Sequence, residues 1–162
     1  MTTFTADFRI EVIYSNDKIK ELSLKYGTKG SACADLCADI TEPLTLQPGE
    51  FKLISSGVCF NIPFPGIVGL VFPRSGLGCK GVNLKNTVGV IDSDYQGDVK
   101  IPVVNTSDKP IVIEPYMRIA QIGFFPVIQA VFEPVSEFEN KTDRGANGFG
   151  STGTGNGAAE GV

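Results

Sequence analysis

Short apolar, β-branched runs separated by turn residues dominate the chain. FRIEVIY (8–14) alternates apolar and polar positions with a period of two, as a strand with one buried face does. FKLISSGVCFNI (51–62), GIVGLVF (66–72), VKIPVVN (99–105), PIVIEP (110–115) and RIAQIGFFPVIQAVFEPV (118–135) continue the series. Ten prolines, at 43, 48, 63, 65, 73, 102, 110, 115, 126 and 134, leave few windows between 42 and 135 long enough for a helix. The pattern predicts an all-β domain, a barrel or jelly roll. LQPGE (46–50) carries the Pro-Gly of a type II turn, and NTSDKP (105–110) joins two apolar runs as a hairpin loop would. SNDKIKELSLKYG (15–27) is the helix candidate, with Ser15 or Asn16 as N-cap and Gly27 beyond its end.

Composition narrows the function. A chain of 162 residues fits one domain with a substantial core. No apolar run approaches the ~20 residues of a membrane span, and MTTFTADFRIEVIY lacks the layout of a signal peptide, so a cytoplasmic protein is expected, or a nuclear one. The net charge of −4, with 14 scattered basic residues, argues against nucleic-acid binding. Cys33, Cys37, Cys59 and Cys79 lack metal-site spacing and read as reduced thiols. The absence of histidine has the widest effect. It removes Ser-His-Asp and Cys-His catalysis and the histidine-ligated zinc deaminase site, leaving a carboxylate, lysine or tyrosine as general base.

Two internal stretches carry chemistry. In PRSGLGCKG (73–81), Arg74 offers a planar fork of donors, Ser75 a hydroxyl, and the glycines let backbone N–H groups approach an anion. A glycine-rich turn with a surface arginine accounts for the same residues. In NTVGVIDSDYQGD (86–98), Asp92 leaves a buried strand and Asp94, Tyr95 and Gly97 follow in what reads as a tight hairpin, placing a carboxylate where a rigidly held base would stand. An ordinary Asp-rich turn is the alternative.

Their order along the chain adds to this. SACADLCA (31–38), PRSGLG (73–78), NTVGVIDSDYQGD (86–98), RIAQIGF (118–124) and RGANGFGSTG (144–153) resemble, in order and spacing, the five motifs of the trimeric dUTPases, with GVIDSDYQGD and DRGANGFG similar to the bacterial branch. The resemblance spans roughly residues 8–153. It implies a dUTPase-type β-barrel or jelly roll over 1–141, a mobile nucleotide-binding arm over 142–153, a disordered tail over 154–162, and a homotrimer. It implies hydrolysis of dUTP to dUMP and diphosphate with Mg²⁺, keeping uracil out of DNA and supplying dUMP for dTMP synthesis.

By the same resemblance Asp92 activates the water, Arg74, Ser75 and Gly76 hold the α- and β-phosphates, and Asp35 contacts the metal through water beside Gln121. Asn86, Val88, Gly89 and Lys100 are implied as substrate contacts, Asn86 at the uracil edge, and Tyr95 lies under the deoxyribose. In the arm, Arg144 reaches the γ-phosphate, Phe149 stacks on uracil, and Gly150, Ser151 and Thr152 add contacts. Cys33 departs from the family, which usually has glycine there. A dCTP deaminase shares the implied fold but needs a catalytic glutamate near EPYMRIAQIGF and lacks a fifth motif of this kind; a silent binding module would have lost Asp92 or Arg144.

Overall fold

The computed structural model describes residues 8–148. Its elements run β1 (Glu11–Tyr14), α1 (Asp17–Leu22), β2 (Ala34–Cys37), β3 (Leu44–Leu46), β4 (Phe51–Ser55), β5 (Val58–Asn61), β6 (Ile67–Pro73), α2 (Ser75–Gly78), β7 (Val82–Leu84), β8 (Gly89–Ile91), β9 (Lys100–Asn105), β10 (Ile111–Ile113) and β11 (Arg118–Pro126). The strands form antiparallel sheets ordered β2-β11-β6-β8, β4-β9-β7, β1-β5 and β10-β3. This is an all-β, jelly-roll type fold, as the alternating runs predict. No helix among the described residues is long and apolar enough to cross a membrane.

Alternation decides which side chains meet. In β9, Ile101 and Val103 point inward while Lys100 and Pro102 do not, and across the pairing Ile54 of β4 stands opposite Ile101. Leu36, Leu46, Val58, Ile113, Ile119 and Ile122 join them with almost no exposure, so each strand contributes one face to one core. At ~25 cal/mol per Å² of apolar surface, burying each such branched side chain contributes roughly 1.5–3 kcal/mol.

The helix starts as predicted and stops early. Asn16 Oδ1 accepts from Ile19 N at 2.9 Å, with Asp17 in the first turn, an N-cap that favours this register. It ends at Leu22, well before Gly27, because the following backbone is bound elsewhere. Leu24 adopts φ 55°, its N–H donates to Asp35 O at 2.7 Å, and Asp35 N–H donates to Lys25 O at 3.1 Å. Two strong contacts to β2 thus outcompete another helical turn, and they pin the backbone of Asp35.

The turn at Gln47–Glu50 is of type II: Gly49 has φ 77° and Glu50 N–H donates to Gln47 O at 2.9 Å. The 105–110 segment differs from expectation. It does not close a hairpin, since β9 pairs with β4 and β7 whereas β10 pairs with β3. It crosses between sheets beside the β3–β4 turn, and Asn105 fastens the two crossings together. Its Nδ2 donates to Leu46 O at 2.9 Å and Lys109 O at 2.7 Å, while Oδ1 accepts from Ser107 N and Oγ. Every polar atom of this buried amide is therefore used.

The run 118–135 also differs. Its strand ends at Pro126, and Ile128, Val131 and Phe132 stand 90% or more exposed. Apolar content alone does not make a strand; it needs a ladder partner, and the segment pairs with no strand among the described residues. The chain divides into one compact unit ending at Gln129 and another beginning at Ala130. In the second, Gly145 N–H donates to Thr142 O at 3.0 Å and Asn147 N–H to Arg144 O at 3.1 Å, forming successive turns.

Replacing Asn105 with Ala removes its donor from the carbonyl of Leu46 and the acceptor from Ser107 N–H, and leaves Lys109 O with the Ser107 hydroxyl alone. Asn105→Ala is expected to destabilise the fold by about 2–4 kcal/mol, read as a lower midpoint in urea unfolding with an unchanged slope.

Candidate active site

Three strands assemble a cationic cleft. Asp35 lies in the middle of β2, opposite Gln121 of β11, which in turn stands opposite Phe72 of β6. Arg74 follows directly where β6 ends at Pro73 and caps α2. The sequence reads 73–81 as a glycine-rich loop; the structure makes 75–78 a single helical turn, with Leu77 N–H and Gly78 N–H both donating to Arg74 O. Ser75 N–H and Gly76 N–H precede the first intrahelical bond, as the leading amides of any helix do.

A bulge in β11 adds a residue that sequence reasoning missed. Arg118 pairs with Cys37 and Ala120 with Leu36, so the register slips by one before Gln121 reaches Asp35. Without that slip, residues three apart would point to opposite faces; with it, Arg118 and Gln121 both flank Asp35. Arg118 Nη1 donates to Asp35 Oδ2 at 3.2 Å. Arg74 Nε donates to Oδ1 at 2.8 Å, and its Nη2 lies 3.5 Å from Oδ2. Gln121 Nε2 donates to Pro73 O at 2.9 Å, tying β11 to the residue before Arg74. The cleft, about 580 Å³, is lined by these residues with Lys25, Gly27, Ser31, Ala32, Cys33, Ser75 and Gly76. Three cationic side chains share it with one carboxylate, in a chain of net charge −4. Such a cleft suits a multiply charged anion.

Cys33 fits here because β11 leaves room. A Cβ on Gly123 would lie 2.9 Å from both Cys33 Sγ and Phe125 Cε2, so the thiol and that ring together occupy the space a side chain at 123 would take. Burial pushes the Cys33 thiol up. It also pushes up Cys37, partly offset by the hydrogen bond with Ser23 and reinforced by the Asp35 charge. Neither is a ready thiolate at neutral pH.

The second group of predicted residues lies apart. Asp92 stands one residue past β8, and Tyr95 N–H donates to its carbonyl at 3.1 Å, closing a turn. It lines a separate cleft of about 540 Å³ with Ile67, Val68, Val90 and Asp94. The 86–98 segment is not one hairpin: β7 pairs with β9 and β8 with β6, so both connections of β8 cross between sheets, the first through a tight turn and the second through a longer one. Asn86 and Val88 are exposed in the first, where Thr87 adopts φ 62° and Val88 N–H donates to Asn86 O at 2.7 Å. A side chain at Gly89 would be crowded, since a Cβ there would lie 3.2 Å from Val71 Cβ. In the second, Tyr95 Oη donates to Asp98 O at 2.9 Å and its ring covers Gly97, where a Cβ would meet Oη at 2.7 Å. Gln96 Nε2 reaches Asn61 Oδ1 at 3.0 Å, and Lys100 is exposed at the start of β9.

Strand geometry sets the distance between the two clefts. Ile91 pairs with Gly69 while Asp35 is level with Phe72, and β8 and β2 are three strand spacings apart. Asp92 and Asp35 are thus offset by roughly 10–13 Å along the strands and ~14 Å across them. Arg144 belongs to the second unit, its Nε donating to Asn147 O at 3.1 Å. Phe149, Gly150, Ser151 and Thr152 lie outside the described residues.

An all-β jelly roll with an arginine-rich anion cleft defines the class, and comparison identifies the family. The dUTPase family model matches residues 20–153. The deoxyuridine 5'-triphosphate nucleotidohydrolase of Francisella philomiragia is 48% identical over 145 residues, covering 89% of this chain and 98% of that protein. Its counterpart in Nitrosospira multiformis is 44% identical over 146 residues, 90% of this chain and 97% of that one. Among solved structures, the dUTPase of Staphylococcus bacteriophage 80alpha with dUpNHpp superposes with a TM-score of 0.79 at 26% identity, covering 90% and 99% of the two chains. A mutant dUTPase of phage phi11 of S. aureus, described as coordinating a structural Mg(II) ion, shares the fold with a TM-score of 0.71 at 22% identity, covering 82% and 99%. The chain belongs to the dUTPase family.

The thiols provide a check on this local geometry. In the native protein, Ellman's reagent is expected to modify exposed Cys79 first and buried Cys37 only on unfolding, with Cys33 slow until the pH is raised above that of an ordinary thiol.

Proposed function

We propose that the chain hydrolyses dUTP to dUMP and diphosphate by in-line attack of water on the α-phosphorus. The observation that carries this is the cleft around Asp35, where Arg74, Ser75, Gly76, Arg118 and Lys25 surround a space sized for a polyphosphate. Arg74 and the leading amides of α2 hold the α- and β-phosphates, and Gln121 stands beside them. Asp92 takes the proton of the attacking water, the role for which a carboxylate at a rigid strand exit suits a protein without histidine.

The residues present fit Mg²⁺ in one way. No cluster of three or more His, Cys, Asp or Glu side chains that could form an all-protein metal cage occurs among the described residues. Asp35, a lone carboxylate at the floor of a phosphate cleft, suits an ion that keeps its waters and takes its other oxygens from the substrate. Bound there, the ion would neutralise phosphate charge and fix the α-phosphorus for attack. Asp35 would orient its water ligands, and Arg74 offsets negative charge that the ion leaves on the phosphates.

A single chain does not bring Asp92 to this cleft. The offset between them exceeds what one α-phosphorus and its attacking water can span. We therefore place Asp92, Asn86, Val88, Gly89, Tyr95 and Lys100 against the cleft of a neighbouring copy, in a homotrimer whose closed symmetry repeats the same contact three times. Asn86 and adjacent backbone groups select the uracil edge, and Tyr95 lies under the deoxyribose. Residues 142–153 form an arm that closes over the nucleotide, with Arg144 on the γ-phosphate, Phe149 on the base, and Gly150, Ser151 and Thr152 completing the contacts. A cytoplasmic protein acting on free nucleotide, with no nucleic acid or membrane partner, follows from this reading.

Diphosphate release from dUTP with millimolar Mg²⁺ tests the reaction, and absence of turnover overturns it. Asp92→Asn is expected to keep nucleotide affinity and lower kcat by ~10²–10⁴; full activity would remove Asp92 from the mechanism. The shared site has its own test. Arg74→Met and Asp92→Asn proteins, each inactive, should regain activity when unfolded together and refolded, because some mixed assemblies then join an intact Arg74 cleft to an intact Asp92. If each chain held a whole site, mixing would restore nothing.

A further inference from the structure

We infer that Arg118 is a positioning residue that keeps Arg74 available for phosphate by occupying one oxygen of Asp35. This rests on the dUTPase reading above, which counts Arg118 only as one of the cations lining the cleft. The geometry is asymmetric. Arg74 meets Asp35 through one short bond, Nε to Oδ1 at 2.8 Å, while its Nη2 remains 3.5 Å from Oδ2. Arg118 Nη1 sits on that same Oδ2 at 3.2 Å. An arginine and a carboxylate left alone close into a fork-to-fork pair with two parallel bonds. Here Arg118 Nη1 shares Oδ2 with Arg74 Nη2, and the second Arg74 bond stays long at 3.5 Å instead of tightening onto the carboxylate.

Burial shows what is at stake. The Asp35 side chain is only 14% exposed, against 29% for Arg74 and 58% for Arg118. A partly buried carboxylate needs a cation, and with Arg118 gone the only guanidinium bonded to it is that of Arg74. Phosphate would then have to pull Arg74 out of a pair whose second bond is free to shorten from 3.5 Å. The bulge in β11 is what makes the arrangement possible, since it turns Arg118 onto the face that carries Gln121. Arg118 thus acts on the phosphates through Asp35 and Arg74.

A direct phosphate contact by Arg118 would also support binding, so the test must separate the two routes. A double-mutant cycle does so, because a residue acting through Asp35 loses its effect once Asp35 no longer competes for Arg74. Binding of dUDP is measured by calorimetry in EDTA, which keeps the metal role of Asp35 out of the comparison, for the whole protein and for Arg118→Met, Asp35→Asn and the double variant. Arg118→Met should weaken dUDP about tenfold with Asp35 present and less than twofold in the Asp35→Asn background. Equal weakening in both backgrounds, or none in either, overturns the inference. Arg118→Lys, which keeps the charge and one donor, should recover most of the affinity; should Arg118→Met fail to fold, the same cycle is run with Arg118→Lys, where a loss of about two- to fourfold confined to the Asp35 background supports the inference and an equal loss in both overturns it. A wild-type protein that hydrolyses dUTP yet shows no such coupling removes only the role of Arg118. One that neither binds dUDP nor hydrolyses dUTP removes the proposed function with it.

Discussion

Strand β11 pairs with β2 on one edge and β6 on the other, and the anion cleft hangs from those three strands. Asp35, Gln121 and Phe72 share one level across the sheet, and Arg74 follows from the end of β6. Antiparallel pairing thus fixes the mutual height of carboxylate, amide and guanidinium to within a fraction of a residue. The slip at 118–120 is the single irregularity in this frame, and it decides which side chains surround Asp35. A site built on paired strands inherits their rigidity, while the loops contribute what must adapt to the ligand.

The remaining sheets hold that frame closed. Crossings between sheets at 47–50 and 105–110 run side by side, and one buried amide, Asn105, satisfies both while the cores of β4 and β9 pack inward. Polar groups inside this domain are few and completely bonded: Ser23, Ser56 and Asn105 are the buried polar residues, and no buried side-chain polar atom among the described residues lacks a partner. Stability and site geometry therefore draw on the same ladders, and the cleft requires no separate scaffold.

Fold class was legible in the sequence because β-strands announce themselves through alternation and proline spacing. The type II turn at Pro48-Gly49 and the Asn16 cap were readable for the same reason, each being a local preference satisfied by local atoms. What lay beyond reach was anything decided by a distant partner. The helix ends at Leu22 because Leu24 is claimed by Asp35, eleven residues on, and 105–110 is a crossing because β10 pairs with β3. The apolar run past Pro126 reads as a strand on composition but finds no ladder among the described residues. Arg74, Asp35 and Gln121 were named from motif order, whereas Arg118 and Lys25 were missed. A bulge leaves no mark in hydrophobic periodicity when both neighbours, Ile119 and Ala120, are buried.

Cys33 and Gly123 share one small volume across the β2–β11 side of the cleft. The ring of Phe125 lies equally near, 2.9 Å from where a Cβ at 123 would stand, so that position is closed from two sides. Shortening residue 33 alone therefore leaves 123 shut, and a side chain there requires the thiol and the ring to yield together.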